Sequence, residues 1–172
     1  MNSENTMPYV LGEHRDELSV DTLQQNRDLA LSLAIQARRT LVIVSRNMDP
    51  GITNNLEFCT AVRDLALRGK LSRIRMLVSD VEPMVRDGHC LMELTRRLTT
   101  FMEIRKQGRD YREYNESFLV VDETGYLYRR FSDRYEGIAC FNNKLRAREL
   151  NRLFQQMWDA SVTDPNLKRL HL

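Results

Sequence analysis

Apolar and polar positions alternate between two periods along this chain. The run Thr40-Leu41-Val42-Ile43-Val44 is short, β-branched and apolar on both faces, the signature of a strand buried from two sides. Before it, Leu23, Leu29, Leu31, Leu33, Ala34, Ile35 and Ala37 predict an apolar helix, with Asp21 as its N-cap and Arg38-Arg39 at its C-terminus. After it comes a loop containing Asp49-Pro50-Gly51, then Leu56, Cys59, Val62, Leu65 and Ala66 at helical spacing from Asn55 to Arg68, stopped by Gly69. Ile74 to Val78 predicts a second buried strand, completing a β-α-β unit.

The second half repeats the alternation more weakly. Gly88-His89 opens a helical stretch with Leu91, Leu94 and Leu98 on one face, and Phe101 to Arg105 reads as a third strand. The polar segment 106–114 predicts an exposed loop. Ser117 to Val121 and Tyr126 to Phe131 predict a hairpin, with Gly125 supplying the positive φ of its turn. Gly137 to Phe141 is a last short strand, and Leu145, Leu150, Leu153, Phe154, Met157 and Trp158 stripe a closing helix whose outer side carries Lys144, Arg146, Arg148 and Arg152. The expected fold class is therefore α/β, a mixed β-sheet flanked by helices. A single domain over 21–163 is expected, preceded by a partly ordered arm over 1–20 that packs Tyr9-Val10-Leu11, and followed by a tail over 164–172.

Composition narrows the function. A length of 172 residues with 42% hydrophobic and 29% charged side chains supports one ordinary core. The balance of 26 basic and 24 acidic residues, formally +2, argues against a chain that coats DNA through its overall field. No apolar run approaches the roughly 18 residues of a membrane span and the start is polar, so no membrane association, no secretory signal and a cytoplasmic location are expected. Cys59, Cys90 and Cys140 form no CxxC pair, and free, mostly buried thiols are expected of them in a reducing compartment. Of His14, His89 and His171, none lies in a motif; the ordinary reading of His89 is a helix-end or surface residue, and His171 falls in the tail. There is no Gly-rich phosphate loop, GxSxG elbow or HExxH, so no cofactor and no metal site are expected.

The segments LAIQARRTLVIVSRNMDP, LEFCTAVRDLALRGKLSRIRMLVSD, NESFLVVDETGYLYRR and FNNKLRARELNRLFQQMWDAS, in this order over about residues 23–161, resemble one half of the phospholipase D-like superfamily. That family's signature is His-x-Lys, four residues and Asp. With its Asp placed on Asp122, Asn115 stands at the histidine and Ser117 at the lysine position. In the family the histidine attacks phosphorus, which needs a nucleophilic imidazole nitrogen, and the lysine neutralises phosphate oxygens. An amide and a hydroxyl do neither, so the resemblance implies a degenerate motif and a pseudoenzyme with no catalytic residue. Active members pair two halves, and a lone half implies a homodimer with residues 115–122 near the interface. Similar lone halves occur in bacterial proteins of unassigned role.

The leading expectation is a non-catalytic module that binds a protein partner or an anionic ligand. Arg105, Arg129, Arg130 and Arg134 are the candidate anion-binding residues, with Lys106, Arg109 and Arg112 nearby and Tyr111, Tyr114 and Tyr128 available for stacking. Interleaved acids weaken that field, and a solvated charged face accounts for the same pattern. Two alternatives stand beside it: an enzyme using Asp122, Glu116 or Tyr114 as acid or base in a repurposed cleft, and a nucleic-acid-binding domain using the basic residues of 105–134.

Overall fold

The computed structural model describes residues 8–168. Residues 1–7 of the arm and 169–172 of the tail, including His171, lie outside the described residues. The chain runs β1 (Leu18–Val20), α1 (Leu23–Gln36), β2 (Thr40–Ser45), α2 (Pro50–Thr53), α3 (Leu56–Leu67), β3 (Arg73–Val78), α4 (Glu82–Asp87), α5 (Cys90–Arg97), β4 (Met102–Lys106), β5 (Ser117–Val121), β6 (Gly125–Arg129), β7 (Gly137–Cys140), α6 (Lys144–Asp159) and α7 (Pro165–Lys168). Among the described residues, no helix is long and apolar enough to cross a membrane.

The strands make one sheet in the order β1-β7-β6-β5-β2-β3-β4. The pairs β2–β3 and β3–β4 are parallel, while β5 runs antiparallel to β2 and every pair beyond it is antiparallel. Strand β2 shows why its run is apolar throughout. Leu41 and Ile43 enter the core beneath α1, α3 and α5, with Leu33, Val62, Met76 and Leu119. Val42 and Val44 enter a second core on the opposite face, with Phe118, Leu150, Phe154 and Trp158 of α6 and β5. Beside α6 that face is finished by stacked cations: the Arg75 guanidinium lies over Phe154 and Trp158, and Arg105 lies 4.2 Å above the Trp158 ring.

Local signals set the helix starts. Thr22, one residue past the expected Asp21, is the N-cap of α1, because the Thr22 hydroxyl accepts from the Gln25 backbone N–H while the Gln25 side chain accepts from the Thr22 N–H, a reciprocal capping box. Asn55 and Asn143 cap α3 and α6 in the same way through one bond each.

Four features depart from the sequence reading. The sheet reaches back into the segment assigned to the arm: Leu18–Val20 pairs with β7, and Gly12 N–H donates to the Phe141 carbonyl. A strand of three residues is too short to show a period. The hairpin turn takes its positive φ from Asp122 (50°) and Glu123 (51°) rather than from Gly125. Gly125 opens β6 and is small because a Cβ there would meet Leu11 and Leu33 at 2.6 and 2.9 Å. A short extra helix, α4, ends at Gly88 with φ of 77°. Finally, Cys59 and Cys90 are joined in a disulfide with their Cα atoms 6.3 Å apart, which corrects the expectation of free thiols; only Cys140 is free and buried among the described residues. The pairing arises where the first turn of α3 meets the start of α5, a tertiary contact that a spacing of 31 residues does not announce.

Candidate functional site

Strand order reverses direction at β2, which has parallel β3 on one side and antiparallel β5 on the other. The carboxyl ends of the parallel strands β2, β3 and β4 lie side by side there, the end of the sheet at which open α/β folds place their crevices. A groove of about 890 Å³ lies at this place, lined among others by Arg46, Asp80, Lys106, Arg109, Arg112 and Asn115. Arg46 follows β2 directly, Lys106 ends β4, and Arg109 begins and Arg112 follows the 3₁₀ turn after it. Among the described residues none of these four cations has a side-chain hydrogen bond or ion pair. Of the three acids in the groove, the Asp80 carboxylate accepts from the Glu82 backbone, Glu116 accepts from the Tyr114 hydroxyl at 2.9 Å, and Glu113 has no side-chain bond among the described residues.

The three motif positions do not form one site. Asn115 lines the groove, its Oδ1 accepting from the Ser132 hydroxyl at 2.7 Å. Ser117 is buried behind it and donates to the Val44 carbonyl at 3.0 Å. Asp122 lies at the far end of β5, about 17 Å from Ser117 at the usual strand rise. There its carboxylate accepts three backbone N–H groups, from Arg38, Arg39 and Thr40, at 2.7 to 2.9 Å. That fixes the connection from α1 to β2 and leaves Asp122 remote from the groove.

Beneath the groove floor is a polar cluster that the sequence reading did not foresee. Arg129 is 4% exposed and its Nη2 donates to Asp49 Oδ2 at 2.5 Å and to the Ser117 hydroxyl at 3.2 Å. Its Nη1 donates to the carbonyls of Arg134 and Ser132. Ser45 donates to the same Asp49 oxygen at 2.7 Å. Asp49 and its neighbour Met48 both adopt positive φ, 39° and 64°, so the chain accepts an unfavourable backbone to deliver this carboxylate. A guanidinium from β6 thus stands beside the position the resemblance gives to a lysine, aimed inward at Asp49.

The remaining selected residues separate. Arg129 is spent inside the fold. Arg105 pairs with Glu103 at 2.8 Å and stacks on Trp158, on the α6 face. Arg130 and Arg134 lie over the Phe131 ring on the loop beyond β6 and do not line the groove. Lys106, Arg109 and Arg112 do line it, joined by Arg46, which the sequence reading passed over although it directly follows the buried strand β2.

Burial shifts several titratable side chains, and two of them bear on this region. Tyr114, in the groove wall, is pushed well above the ordinary phenol range by desolvation and by its bond to Glu116, which holds it protonated as a donor at neutral pH. His89 is 3% exposed and caps α5, Nδ1 accepting from Leu91 N–H while Nε2 faces the Met48 carbonyl and the Thr53 hydroxyl. Desolvation lowers it to about 4. Because the folded pKa lies below the unfolded value near 6.5, His89 is neutral in both states above that pH and its packing contribution is then complete. As pH falls from 6.5 through 4, the unfolded chain binds the proton first and stability is lost, up to about 3 kcal/mol. Urea midpoints at pH 7 and pH 4.5 should therefore differ more for the native chain than for His89→Asn; equal differences would remove His89 as the cause. His14 lies apart, accepting from Val10 N–H. Among the described residues no cluster of three or more His, Cys, Asp or Glu side chains is arranged to hold a metal.

The family model described as a domain of unknown function (DUF7931) matches residues 22–170. No curated protein sequence matches the chain. Solved structures of several proteins share its fold. Nuc from Salmonella typhimurium, a phospholipase D family member, aligns with 86% of this chain and 97% of its own at a TM-score of 0.62 and 11% identity. NucT from Helicobacter pylori aligns with 87% and 99% at 0.59 and 11%. TrmBL2, an archaeal chromatin protein with a novel mode of DNA binding, aligns with 87% of this chain at 0.65 and 13%, and the chain spans about half, 53%, of that protein. The α/β fold, a mixed seven-stranded sheet flanked by helices, is thus phospholipase D-like.

Proposed function

We propose that this chain, which belongs to the DUF7931 family and has a phospholipase D-like fold, is a non-catalytic module that binds a phosphate-bearing anionic ligand in the groove at the ends of β2, β3 and β4. The observation that carries the reading is the set of four unpaired cations, Arg46, Lys106, Arg109 and Arg112, converging on one crevice. Unpaired cations in a concave site of restricted solvent access attract phosphate oxygens more strongly than the same charges spread over a convex surface. Among the described residues no imidazole lines the groove, and Asn115 and Ser117 supply neither an attacking nitrogen nor a mobile charge. A repurposed acid or base finds little support: Asp122 is occupied by three backbone donors, Glu116 by Tyr114, and the Tyr114 phenol is held protonated. The likeness to TrmBL2, a DNA-binding protein, favours a nucleic-acid backbone as the source of the phosphates. The module is cytoplasmic and works as a homodimer; sedimentation as a monomer at micromolar concentration would refute the dimer.

Titration of the full chain with a fluorescein-labelled oligothymidylate, with inorganic polyphosphate as competitor, tests the reading. Four cations releasing counterions from a single strand give a slope of log affinity on log salt of about −3. Arg109→Ala combined with Arg112→Ala should weaken binding at least roughly tenfold and bring the slope towards about −1.5. Competition by polyphosphate at equal phosphate concentration would identify the phosphate alone as the recognised group. Binding that ignores salt, or that survives the double substitution, would overturn the proposal.

A further inference from the structure

The disulfide sits against the segment that carries both Arg46 of the groove and the buried Asp49. Cys59 is buried on the first turn of α3, and Cys90, partly exposed, begins α5. Both sulfurs lie over the Thr53 carbonyl, at 3.6 and 3.7 Å, and Cys90 N–H donates to the Asn54 side chain at 2.9 Å. The next residue back, His89, reaches the Met48 carbonyl and the Thr53 hydroxyl. Residues 48–55 are thereby fastened to the start of α5. The fastened segment contains the two consecutive residues at positive φ, Met48 and Asp49, a conformation that persists only when its surroundings impose it. The Asp49 carboxylate in turn closes the Ser45–Ser117–Arg129 cluster under the groove.

We propose that Cys59–Cys90 is a reversible thiol–disulfide site for a dithiol reductant, and that its opening loosens residues 46–55 and with them the groove wall at Arg46. A thiolate of the reductant attacks the Cys90 sulfur, the more accessible one, forming a mixed disulfide while the Cys59 sulfur leaves as a thiolate and takes up a proton. The reductant's second thiolate then attacks its own sulfur in the mixed disulfide. Cys90 leaves as a thiolate and is protonated, and the reductant departs as a disulfide, having supplied two electrons and two protons. Oxidation by a disulfide reagent reverses both steps. The loosening needs no ligand; only its effect on anion binding rests on the proposed function.

Alkylation of the denatured chain purified without reductant should label one cysteine of the three, Cys140, and all three after dithiothreitol. Hydrogen exchange on the native protein should then show amides of 46–55 exchanging roughly tenfold faster in the reduced state, returning to the slower rate on reoxidation with oxidised glutathione. The double variant Cys59→Ser, Cys90→Ser should exchange at the reduced rate with or without dithiothreitol. Three labelled thiols both before and after oxidised glutathione, equal exchange in the two redox states, or a serine variant that keeps the slow rate would each overturn the proposal. Oligothymidylate titration of both states separates the two readings: absence of binding in either refutes the anion module, whereas equal binding with unequal exchange refutes only the link from the disulfide to the groove.

Discussion

Asp49→Ala lowers the unfolding free energy by about 3–5 kcal/mol, the largest loss expected from any single truncation near the groove. The reason is what remains behind. Arg129 is almost wholly buried, and among the described residues Asp49 is its only anionic partner, at 2.5 Å. Removing the carboxylate leaves a guanidinium in a low-dielectric interior facing two carbonyls and a serine, which compensate its charge only in part. The Ser45 hydroxyl loses its acceptor as well. Urea denaturation of the purified chain measures the loss. The double variant Asp49→Ala, Arg129→Met should recover most of it, because a neutral side chain of similar length has no charge to strand. A loss below about 1 kcal/mol for Asp49→Ala would show that Arg129 is neutralised by something else.

Restoring the lysine of the resembled motif should destabilise the protein and leave it inactive. In Ser117→Lys an ammonium would enter a buried position where Arg129 Nη2 already stands 3.2 Å from the serine oxygen. Two like charges would then compete for one carboxylate in a tightly packed site, at a cost of several kcal/mol from repulsion, desolvation and overpacking together. Asn115→His, in the open groove, should cost about 1 kcal/mol through loss of the Ser132 bond. The combined variant Asn115→His, Ser117→Lys is therefore expected to unfold at much lower urea and to show no turnover of bis(p-nitrophenyl) phosphate. A combined variant as stable as the native chain, with measurable hydrolysis, would show that the Arg129–Asp49 pair does not occupy the lysine's place.

Both predictions concern how charge is distributed around position 117. The cation near position 117 is supplied by a different strand, β6, and is bonded to Asp49 inside the fold. The groove's own cations come from β2's exit and from the loop after β4. A binding surface and a structural ion pair therefore lie back to back, with Ser117 and Asn115 between them. The candidate redox pair is fastened to the segment that connects the two, because Arg46 lines the groove and Asp49, three residues on, holds Arg129.

Some of the site was legible beforehand. The period-two pattern of β6 places Arg129 on the same face as Leu127, which is buried in the core under α1, so an inward Arg129 was available to a strict reading of that strand. Lys106, Arg109 and Arg112 were visible as a basic run in a polar loop. Asp122 was readable as a turn residue, and its side chain does serve the backbone, though that of residues 38–40 rather than of its own turn. Arg46 carried no signal except its place at the end of a buried strand.

The sequence by itself determined the α/β class, the buried strands β2, β3 and β5, the long helices α1, α3 and α6, and the presence of an amide at position 115. Those features depend on periodicity, capping and residue chemistry, all of which act over a few neighbouring positions. Only the tertiary structure decided which charges are free and which are consumed. Asp49 meets Arg129 across 80 residues, Asp122 reaches Arg38 across 84, and Cys59 finds Cys90 across 31. Such pairings depend on how strands are ordered in the sheet and where loops cross its ends, and nothing in the local pattern around either partner specifies the other.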